Sequence, residues 1–463
     1  MGRYSIIMAA GKGTRMKSTL PKVLHKVGGK TMVDLVLDTI LAVGVEKIVT
    51  VVGHEAEMVR AQVEDRSSVV VQTEQLGTGH AVKMAAPILA KQEGSTLIAS
   101  GDAPLFTKAT YENAFAYHEQ SGNAVTVLTA KAANPFGYGR VIRADDGAVL
   151  RIVEQKDANE AEAGVDEINT GVYVFDNQLL FAALEQVTND NAQGEYYLPD
   201  TLEILRKQDQ VVGAYQIDDF NQSMGVNDRV ALAQANQILR QRINTQHMKN
   251  GVTLIDPQTT YIDVDVQIGS DTVIENNVVL KGHTKIDSNV VLTAGTRIID
   301  SEIKTASVID NSTIEESVVG PEATVGPYAH LRPASEVGVR AHVGNFVEMK
   351  KAQLGTDSKA GHLTYIGDAT IGSDVNIGAG TVFVNYDGQN KHHTTIGDRA
   401  FIGSNTKIIG PVEMKAETIS AAGSTITDDI PEHAMGIARA RQENKPDFWE
   451  RLPVADKFKS LKK

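Results

Sequence analysis

The chain has 463 residues, of which 42% are hydrophobic and 22% are charged, and its formal net charge is −13. This length exceeds what one hydrophobic core usually serves, so two or more domains are expected, and the acidic total argues against general nucleic-acid binding. The absence of cysteine excludes disulfides, thiolate metal sites and cysteine nucleophiles.

The sequence shows neither a signal-peptide pattern at its start nor an apolar run long enough to cross a membrane. We therefore expect a cytoplasmic protein that contacts no membrane. An anionic substrate would have to be held by local pockets of positive charge, because the chain as a whole is acidic.

The first predicted strand, residues 4–8, leads into a loop of small residues that contains Gly11 and Gly13. Such a loop lets backbone N–H groups approach phosphates, and Lys12, Arg15 and Lys22 add positive charge. The pattern therefore points to nucleotide chemistry.

Two familiar glycine-rich motifs do not fit this loop. A phosphate-hydrolysing P-loop needs a glycine directly before Lys17-Ser18, and the dinucleotide fingerprint needs its third glycine at the same position. That position is Met16. The segment Gly11-Lys12-Gly13-Thr14-Arg15-Met16, with Pro21-Lys22 downstream, instead resembles the signature of the sugar nucleotidyltransferase family.

Up to about residue 226 the chain alternates apolar runs with helical patterns, which is typical of a doubly wound, Rossmann-like α/β domain. Residues 47–52 and 96–99 are predicted strands, and residues 80–86 a short helix. Ligands of such domains bind beyond the carboxyl ends of the strands, where the Gly11 loop and Gly101-Asp102 fall. Residues 228–249 are then predicted to form one long connecting helix.

From Ile262 the hydrophobic period changes to six residues, which predicts a left-handed parallel β-helix with three hexads per coil. The inward residues keep this register from Ile262 through Ile268, Ile274, Leu280, Ile286 and Leu292 to Ile298, and the register resumes at Val325, Leu331, Val337, Val343 and Met349. It slips by one residue at Leu354, Ala360 and Ile366 and again at Ile371, Ile377 and Phe383, and it resumes at Ile396, Ile402, Ile408, Met414, Ser420 and Ile426. The hexads between 300 and 314 are loose, and residues 384–395 are expected to be an inserted loop. The prism should be about 40 Å long.

Coil arithmetic places two cations on one face of this prism. Arg332 and Lys350 are 18 residues apart and each follows an inward residue, so both side chains should point outward and lie close together. Stacked cations repel unless an anion bridges them, which indicates a phosphate site. The alternative is two solvated side chains that splay apart.

Close to these cations in sequence, Gly361-His362-Leu363-Thr364-Tyr365 holds a candidate base, because a neutral imidazole can deprotonate an amine near pH 7. Ala379, Ser404 and Ala422 each lie two residues after an inward position and should form a column of small residues. Such a column leaves a slot that fits the pantetheine arm of coenzyme A, although small residues also suit tight coils.

A nucleotidyltransferase half joined by a long helix to a hexapeptide-repeat half resembles the bacterial family of bifunctional N-acetylglucosamine-1-phosphate uridyltransferases and glucosamine-1-phosphate acetyltransferases. Three further segments carry this resemblance: residues 345–351 (NFVEMKK), 361–365 (GHLTY) and 376–381 (NIGAGT). The implied domains are 1–227 for uridylyl transfer, 228–250 as the linker helix, and 251–463 as the acetyltransferase β-helix with its C-terminal tail.

The resemblance implies that the second half acts first, moving acetyl from acetyl-CoA to glucosamine 1-phosphate with His362 as the catalytic base. The implied substrate-binding residues are Arg332, Lys350, Tyr365, Asn376 and Lys391. The implied contacts with acetyl-CoA are Ala379, Asn385, Tyr386, Ser404, Ala422 and Arg439.

The first half would then join N-acetylglucosamine 1-phosphate to UTP, releasing pyrophosphate. The implied contacts with UTP and the product, UDP-N-acetylglucosamine, are Met8, Ala10, Gly11, Arg15, Lys22, Gln72, Gly77, Thr78, Gly139, Glu154, Asn169 and Asn227. Asp102 and Asn227 would hold Mg²⁺. The family further implies a homotrimer, small-molecule substrates, and a role in supplying precursors of peptidoglycan and lipopolysaccharide.

One position departs from the family pattern: Ser100 precedes Gly101 where the family has a tyrosine near the nucleotide. Two alternatives remain at this point. The first is a monofunctional sugar nucleotidyltransferase whose β-helix only regulates or oligomerises. The second is a structural scaffold that carries a degenerate enzyme. Neither explains why residues for two chemistries occur in one chain.

Overall fold

The computed structural model describes residues 2–145, 147–191 and 193–459. Four residues of the basic C-terminal tail, 460–463, lie outside the described residues. The chain divides into an N-terminal unit, residues 1–245 with 262–264, and a C-terminal unit, residues 246–261 with 265–463. None of the helices in the described part of the chain has the length and apolarity that crossing a membrane requires.

The N-terminal unit is an α/β fold. Its strands are β1 Gly2–Ala9, β2 Lys26–Val27, β3 Lys30–Thr31, β4 Lys47–Val52, β5 Ser68–Val71, β6 Gly94–Ser100, β7 Val125–Lys131, β8 Arg140–Arg143, β9 Val149–Val153, β10 Glu167–Asp176 and β11 Val212–Gln216. Its helices are α1 Met32–Val43, α2 Ala56–Val63, α3 Thr78–Lys83, α4 Ala86–Leu89, α5 Lys108–Ser121, α6 Glu160–Ala163, α7 Asn177–Leu184 and α8 Asp200–Lys207, followed by α9 Arg229–Lys249.

The main sheet has the order β11-β7-β10-β6-β1-β4-β5, with β6 at its centre and β1 beside it. β1 runs parallel to both β4 and β6, whereas β10 is antiparallel to β6 and β7. A hydrophobic core covers each face of the sheet, one around α1 and α5 and the other around α3, α7 and α8. Both faces are therefore buried, which is why β4 and β6 read as nearly continuous apolar runs.

The helix boundaries follow ordinary capping chemistry. Thr31 caps α1 by accepting a hydrogen bond from the backbone N–H of Asp34, and Thr107 caps α5 by accepting one from Thr110. α1 ends at Gly44, whose φ of 81° lies in the left-handed region that glycine adopts at little cost. The predicted long helix at 228–249 is observed as α9.

The C-terminal unit is the expected left-handed parallel β-helix. Its strands begin with β12 Thr253–Leu254, β13 Tyr261–Ile262, β14 Gln267–Ile268, β15 Val273–Ile274, β16 Val279–Lys281, β17 Lys285–Ile286, β18 Val291–Leu292, β19 Arg297–Ile299, β20 Glu302–Ile303, β21 Val308–Ile309, β22 Thr313–Glu315, β23 Val318–Val319 and β24 Thr324–Val325.

The remaining strands carry the candidate residues of this unit. They are β25 His330–Leu331, β26 Ser335–Val337, β27 His342–Asn345, β28 Glu348–Leu354, β29 Lys359–His362, β30 Tyr365–Ile371, β31 Asn376–Ile377, β32 Val382–Val384, β33 Thr394–Ile396, β34 Phe401–Ile402, β35 Lys407–Ile409, β36 Val412–Met414, β37 Ile419–Ser420, β38 Thr425–Ile426 and β39 Met435–Gly436. The short helix α10, Pro453–Lys459, follows them.

One face of the β-helix is a sheet of eleven strands within the described residues, β12 to β39, and the other two faces form a sheet of seventeen. We call the eleven-stranded sheet the C face. At about 4.8 Å between stacked strands, eleven layers give a prism about 48 Å long, somewhat longer than the sequence predicted.

The predicted inward residues are buried in the β-helix core, apart from Ile268, which is partly exposed. The inward positions of the loosely patterned hexads between 300 and 314, and of the hexad that follows, are Ile303, Ile309, Ile314 and Val319, which are buried. The step from Ile298 to Ile303 is five residues, because the corner between two faces is one residue shorter. The same shortening lets β28 and β30 continue around that corner as single strands of seven residues.

Candidate active sites

The carboxyl ends of β1, β4 and β6 meet at one edge of the N-terminal sheet, since the three strands are parallel. A cavity of about 250 Å³ lies there. We call it the nucleotide cavity. The sequence-predicted residues that line it are Met8, Ala10, Gly11, Lys22, Gln72, Gly77, Thr78 and Asp102. Arg15 lies in a short 3-10 helix, Thr14–Met16, where its side chain is exposed and outside the lining.

The loop after β5 is fixed by the segment before α8. The backbone N–H of Gly79 donates to the carbonyl of Tyr196 over 2.8 Å, and that of Tyr196 donates to the carbonyl of Leu76 over 2.8 Å. Gly77 has a φ of 108°, and a Cβ there would lie 2.6 Å from the Tyr196 carbonyl oxygen. A side chain at this position would push the loop off its support, so the wall of the cavity requires glycine.

Two predicted metal ligands share one cation in the structure. The ammonium group of Lys22 donates to Asp102 Oδ2 and, over 3.0 Å, to Asn227 Oδ1. The backbone N–H of Val226 donates to the Asp102 carbonyl over 2.8 Å, which holds the two segments together. The two oxygens therefore converge on one point.

This pair of oxygens fits a magnesium ion. Mg²⁺ takes hard oxygen ligands and is usually bound by one or two protein oxygens, with water and substrate phosphates completing the octahedron. The described residues contain no group of three or more His, Cys, Asp or Glu side chains that could hold a metal. Asp102 and Asn227 supply two protein oxygens, so this pair is smaller than the groups that finding concerns.

Ser100 orients the carboxylate of Asp102, which sequence reasoning missed. Its hydroxyl donates to Asp102 Oδ1 over 2.6 Å, and Ser100 also lines the nucleotide cavity. The bond leaves Oδ2 of Asp102 for a cation. The residue that departs from the family pattern thus has a contact of its own, which no sequence signal indicated.

The predicted sugar contacts Gly139, Glu154 and Asn169 form a second cluster, outside the lining of the nucleotide cavity. Asn169 donates from its backbone N–H to the Gly139 carbonyl over 2.8 Å and from Nδ2 to the hydroxyl of Tyr173 over 2.7 Å. A Cβ on Gly139 would lie 3.1 Å from Glu154 Oε1. The strands thus bring these three residues together.

The acidic groups of this cluster disfavour one another's charge. Burial, followed by the charges of Asp157 and Asp200, raises the pKa of Glu154. Burial also raises the pKa of Asp200 to about 6, with Glu203 and Asp157 adding to the shift. Ionising Glu154 and Asp200 therefore costs more free energy in the folded protein than in the unfolded chain.

We expect Asp200→Asn to stabilise the protein at pH 8 and to have little effect at pH 4. The folded-state pKa of about 6 lies above the unfolded value of 3.8, so ionisation of Asp200 lowers the free energy of unfolding as the pH rises through that window. After discounting for solvent screening, the gain at pH 8 should be about 1 kcal/mol. Thermal melts of both proteins across pH 4 to 8 measure it, and an equal shift in melting temperature at both ends would contradict the assignment.

In the C-terminal unit, His362 is held by the neighbouring coil. β27 and β29 pair in parallel with Asn345 opposite His362, and His362 Nδ1 lies 2.8 Å from Asn345 Oδ1. An amide oxygen only accepts hydrogen bonds, so Nδ1 carries the proton and Nε2 keeps its lone pair. His362 is exposed, and its Nε2 is therefore available as a base.

His362 also begins the column of small residues. Ala360 pairs with Ile377, Ile377 with Ile402, and Ile402 with Ser420. The residues two positions further along are His362, Ala379, Ser404 and Ala422, so they lie in one line on the C face. The predicted column is observed, and its continuation to His362 was missed because the coil from Ala360 to Ile377 is one residue short. Arg439 lies at the other end, with its Cδ 3.8 Å from a Cβ built on Gly423.

The stacked cations have a partner within the chain. Leu331 pairs with Met349, so Arg332 and Lys350 occupy neighbouring layers as the spacing predicts. Nη1 of Arg332 donates to Glu348 Oε1 over 2.8 Å. Glu348 offsets part of the repulsion, so the stacking alone does not require a bound phosphate.

Other predicted residues are split between faces of the β-helix. Tyr365 is the register partner of Glu348 in the neighbouring layer of the seventeen-stranded sheet. Its hydroxyl would lie 2.5 Å from a Cβ built on Gly367. Asn376 lies on the C face with His362. In the loop between β32 and β33, Nζ of Lys391 lies 4.4 Å from the centre of the Tyr386 ring. Asn385 is buried and donates to Asp368.

The resemblance implies that His362 is the base of acetyl transfer, so we expect Asn345→Ala to lower the turnover number of that reaction roughly tenfold, because neutral His362 would then populate both tautomers. Asn345→Asp keeps an acceptor opposite Nδ1 and should retain more activity. Initial rates of coenzyme A release measure both variants. Equal losses in the two variants would show that the amide oxygen does not orient His362.

Comparisons with known proteins agree with this two-part organisation. The nucleotidyl transferase family matches residues 4–235. The bifunctional protein GlmU of Latilactobacillus sakei is 57% identical, over 98% of both chains. GlmU of Limosilactobacillus fermentum is 58% identical over 98% of this chain and 100% of its own, and GlmU of Streptococcus suis is 58% identical over 97% and 98%. The similarity therefore covers both units.

Proposed function

The chain belongs to the bifunctional GlmU family, and we propose which of its residues serve each of two reactions. It acetylates the 2-amino group of glucosamine 1-phosphate with acetyl-CoA. It then joins N-acetylglucosamine 1-phosphate to UTP, giving UDP-N-acetylglucosamine and pyrophosphate. The proposal assigns residues 1–227 to uridylyl transfer, 228–250 to the linker helix and 251–463 to acetyl transfer.

The observation that carries the acetyltransferase assignment is His362 at the head of the small-residue column. In the proposed step the amine nitrogen attacks the acetyl carbonyl carbon, its proton passes to Nε2 of His362, and the C–S bond breaks to release coenzyme A. Ala379, Ser404 and Ala422 leave room for the pantetheine arm along the C face. Arg439, at the far end of the column, supplies positive charge to the phosphates of coenzyme A.

The remaining acetyltransferase residues bind the acceptor and frame the site. Arg332 and Lys350 hold the phosphate of glucosamine 1-phosphate, with Arg332 exchanging its Glu348 partner for the substrate. Lys391 adds a third cation, and Tyr365 and Asn376 line the same pocket. Asn385 and Tyr386 contact acetyl-CoA from the inserted loop.

Uridylyl transfer needs no protein nucleophile. A phosphate oxygen of N-acetylglucosamine 1-phosphate attacks the α-phosphorus of UTP in line, and pyrophosphate leaves, so the protein contributes positioning and charge neutralisation. Lys22 and Arg15 bind the triphosphate. Met8, Ala10, Gly11, Gln72, Gly77 and Thr78 hold the uridine, and Gly139, Glu154 and Asn169 hold the sugar. Mg²⁺, held by Asp102 and Asn227, would neutralise phosphate charge when bound.

We also propose that the protein works as a homotrimer in the cytoplasm. Predicted acetyltransferase residues lie on different faces of one β-helix, so a neighbouring copy is needed to bring them around one substrate. At one corner Tyr328, Phe346 and Leu363 are 56%, 56% and 63% exposed, and all three have positive φ. Large apolar side chains in that costly conformation favour a covered surface. Sedimentation equilibrium should give three times the chain mass, and a monomer that transfers acetyl at full rate would contradict the assembly.

The first test supplies the purified protein with glucosamine 1-phosphate, acetyl-CoA, UTP and Mg²⁺, and follows coenzyme A and pyrophosphate separately. We expect both products. The alternative, a uridyltransferase whose β-helix has no chemistry, predicts pyrophosphate only when N-acetylglucosamine 1-phosphate is supplied, and no release of coenzyme A. The His362–Asn345 contact favours the bifunctional assignment, because a silent β-helix has no use for an oriented base.

A further inference from the structure

Gln72 is held in one orientation at the wall of the nucleotide cavity. Its side chain is buried, with 3% exposed, and its Nε2 lies 3.2 Å from the carbonyl oxygen of Gly77 and 3.0 Å from Nδ1 of His80. Its backbone N–H donates to the Val52 carbonyl over 2.7 Å. The backbone and both amide hydrogens are therefore engaged.

The contact with Gly77 decides which end of the amide is which. A carbonyl oxygen only accepts, so the Gln72 atom that faces it is the NH₂ nitrogen. The second hydrogen of that nitrogen points to Nδ1 of His80, which must accept it and therefore carries no proton. Within residues 2–145, 147–191 and 193–459 no donor bonds Oε1 of Gln72, which leaves this oxygen for a ligand in the cavity.

We propose that His80 is a positioning residue that sets the base specificity of uridylyl transfer through Gln72. By accepting from Nε2, His80 holds Oε1 towards the base, where it accepts the N3–H of uracil. Cytosine has a lone pair at N3 and would be repelled by the same oxygen. The inference rests on the proposed function, in which Gln72 contacts the base of UTP.

The surroundings of His80 support an indirect role. His80 lies in α3, which is fixed by the Gly79–Tyr196 backbone contact, and its ring is 6.4 Å from that of Tyr196. It also lines a second cavity of about 320 Å³, which is bordered by Leu76, Met84, Leu184 and Val187 and lies outside the nucleotide cavity. An apolar side chain of similar size at position 80 can therefore be accommodated without rebuilding the fold.

The test compares kcat/KM for UTP and for CTP in three variants. In His80→Leu the Gln72 amide loses one acceptor and is free to turn over, so the preference for UTP over CTP should fall about tenfold. In His80→Asn the side-chain oxygen takes the place of Nδ1, and the preference should return towards the wild-type value. Gln72→Ala should lose the preference regardless of residue 80.

The outcomes distinguish a failure of the proposal for His80 from a failure of the proposed function on which it rests. If Gln72→Ala lowers the UTP preference while both His80 variants keep it, the proposal for His80 is wrong and the proposed function stands. An equal loss of rate with both nucleotides in His80→Leu, with the preference unchanged, assigns His80 a structural role and also overturns the proposal. If wild-type protein transfers no uridylyl group, or Gln72→Ala keeps the preference, the premise itself fails.

Discussion

His362→Ala should lower the turnover number of acetyl transfer on the order of 10²- to 10⁴-fold, the usual contribution of a general base. The imidazole is oriented by Asn345 over 2.8 Å, and its free nitrogen begins the column that we assign to acetyl-CoA. Uridylyl transfer from UTP to supplied N-acetylglucosamine 1-phosphate should keep its wild-type rate, because the nucleotide cavity is built from other residues. Separate assays of coenzyme A and pyrophosphate measure the two effects.

His283→Ala is a matched control, since it removes an exposed histidine, 82% accessible at its side chain, from an early coil of the same β-helix. It should leave both rates unchanged. Loss of both activities in His362→Ala would contradict the assignment of two independent sites, and full acetyl transfer would show that another group accepts the amine proton.

Asp102→Asn should lower magnesium-dependent uridylyl transfer on the order of 10²- to 10³-fold and leave acetyl transfer intact. The substitution removes the charge of the carboxylate that shares a cation with Asn227, while Ser100 and the backbone contact of Val226 still hold the segment in place. Weaker metal binding should also raise the Mg²⁺ concentration needed for half-maximal rate. Titration of pyrophosphate release against Mg²⁺ measures both.

Asp65→Asn, an exposed aspartate of the same unit, serves as the control for Asp102→Asn and should behave as wild type. An Asp102→Asn protein with an unchanged Mg²⁺ requirement would remove Asp102 from the metal site. A parallel loss of acetyl transfer would instead show that the substitution disturbs the whole chain.

The regular parts of the fold follow from the sequence because one physical rule repeats. Each coil of the β-helix buries one aliphatic residue per face, so the six-residue period identifies the inward positions directly. The rule weakened where a corner loses a residue, as between Ile298 and Ile303. The same shortening, between Ile366 and Ile371, hid the alignment of His362 with Ala379. Counting two residues on from Ala360 and from Ile377 would have revealed it.

Contacts between side chains from distant segments could not be predicted in this way. The bonds of Ser100 with Asp102 and of Gln72 with His80 depend on how loops bend after their strands, and no periodic pattern encodes that bend. The Glu348 partner of Arg332 was visible in the sequence, because residues 348 and 350 flank the inward Met349 on the same face. The raised pKa of Asp200 depends on burial, which only the folded chain sets.

The most direct test of two separate sites on one chain mixes the His362→Ala and Asp102→Asn proteins and supplies glucosamine 1-phosphate, acetyl-CoA, UTP and Mg²⁺. Neither variant alone should form UDP-N-acetylglucosamine at an appreciable rate. The mixture should form it, because N-acetylglucosamine 1-phosphate made by Asp102→Asn is consumed by His362→Ala. A mixture that forms no product, or a single variant that forms it at the wild-type rate, would contradict the account.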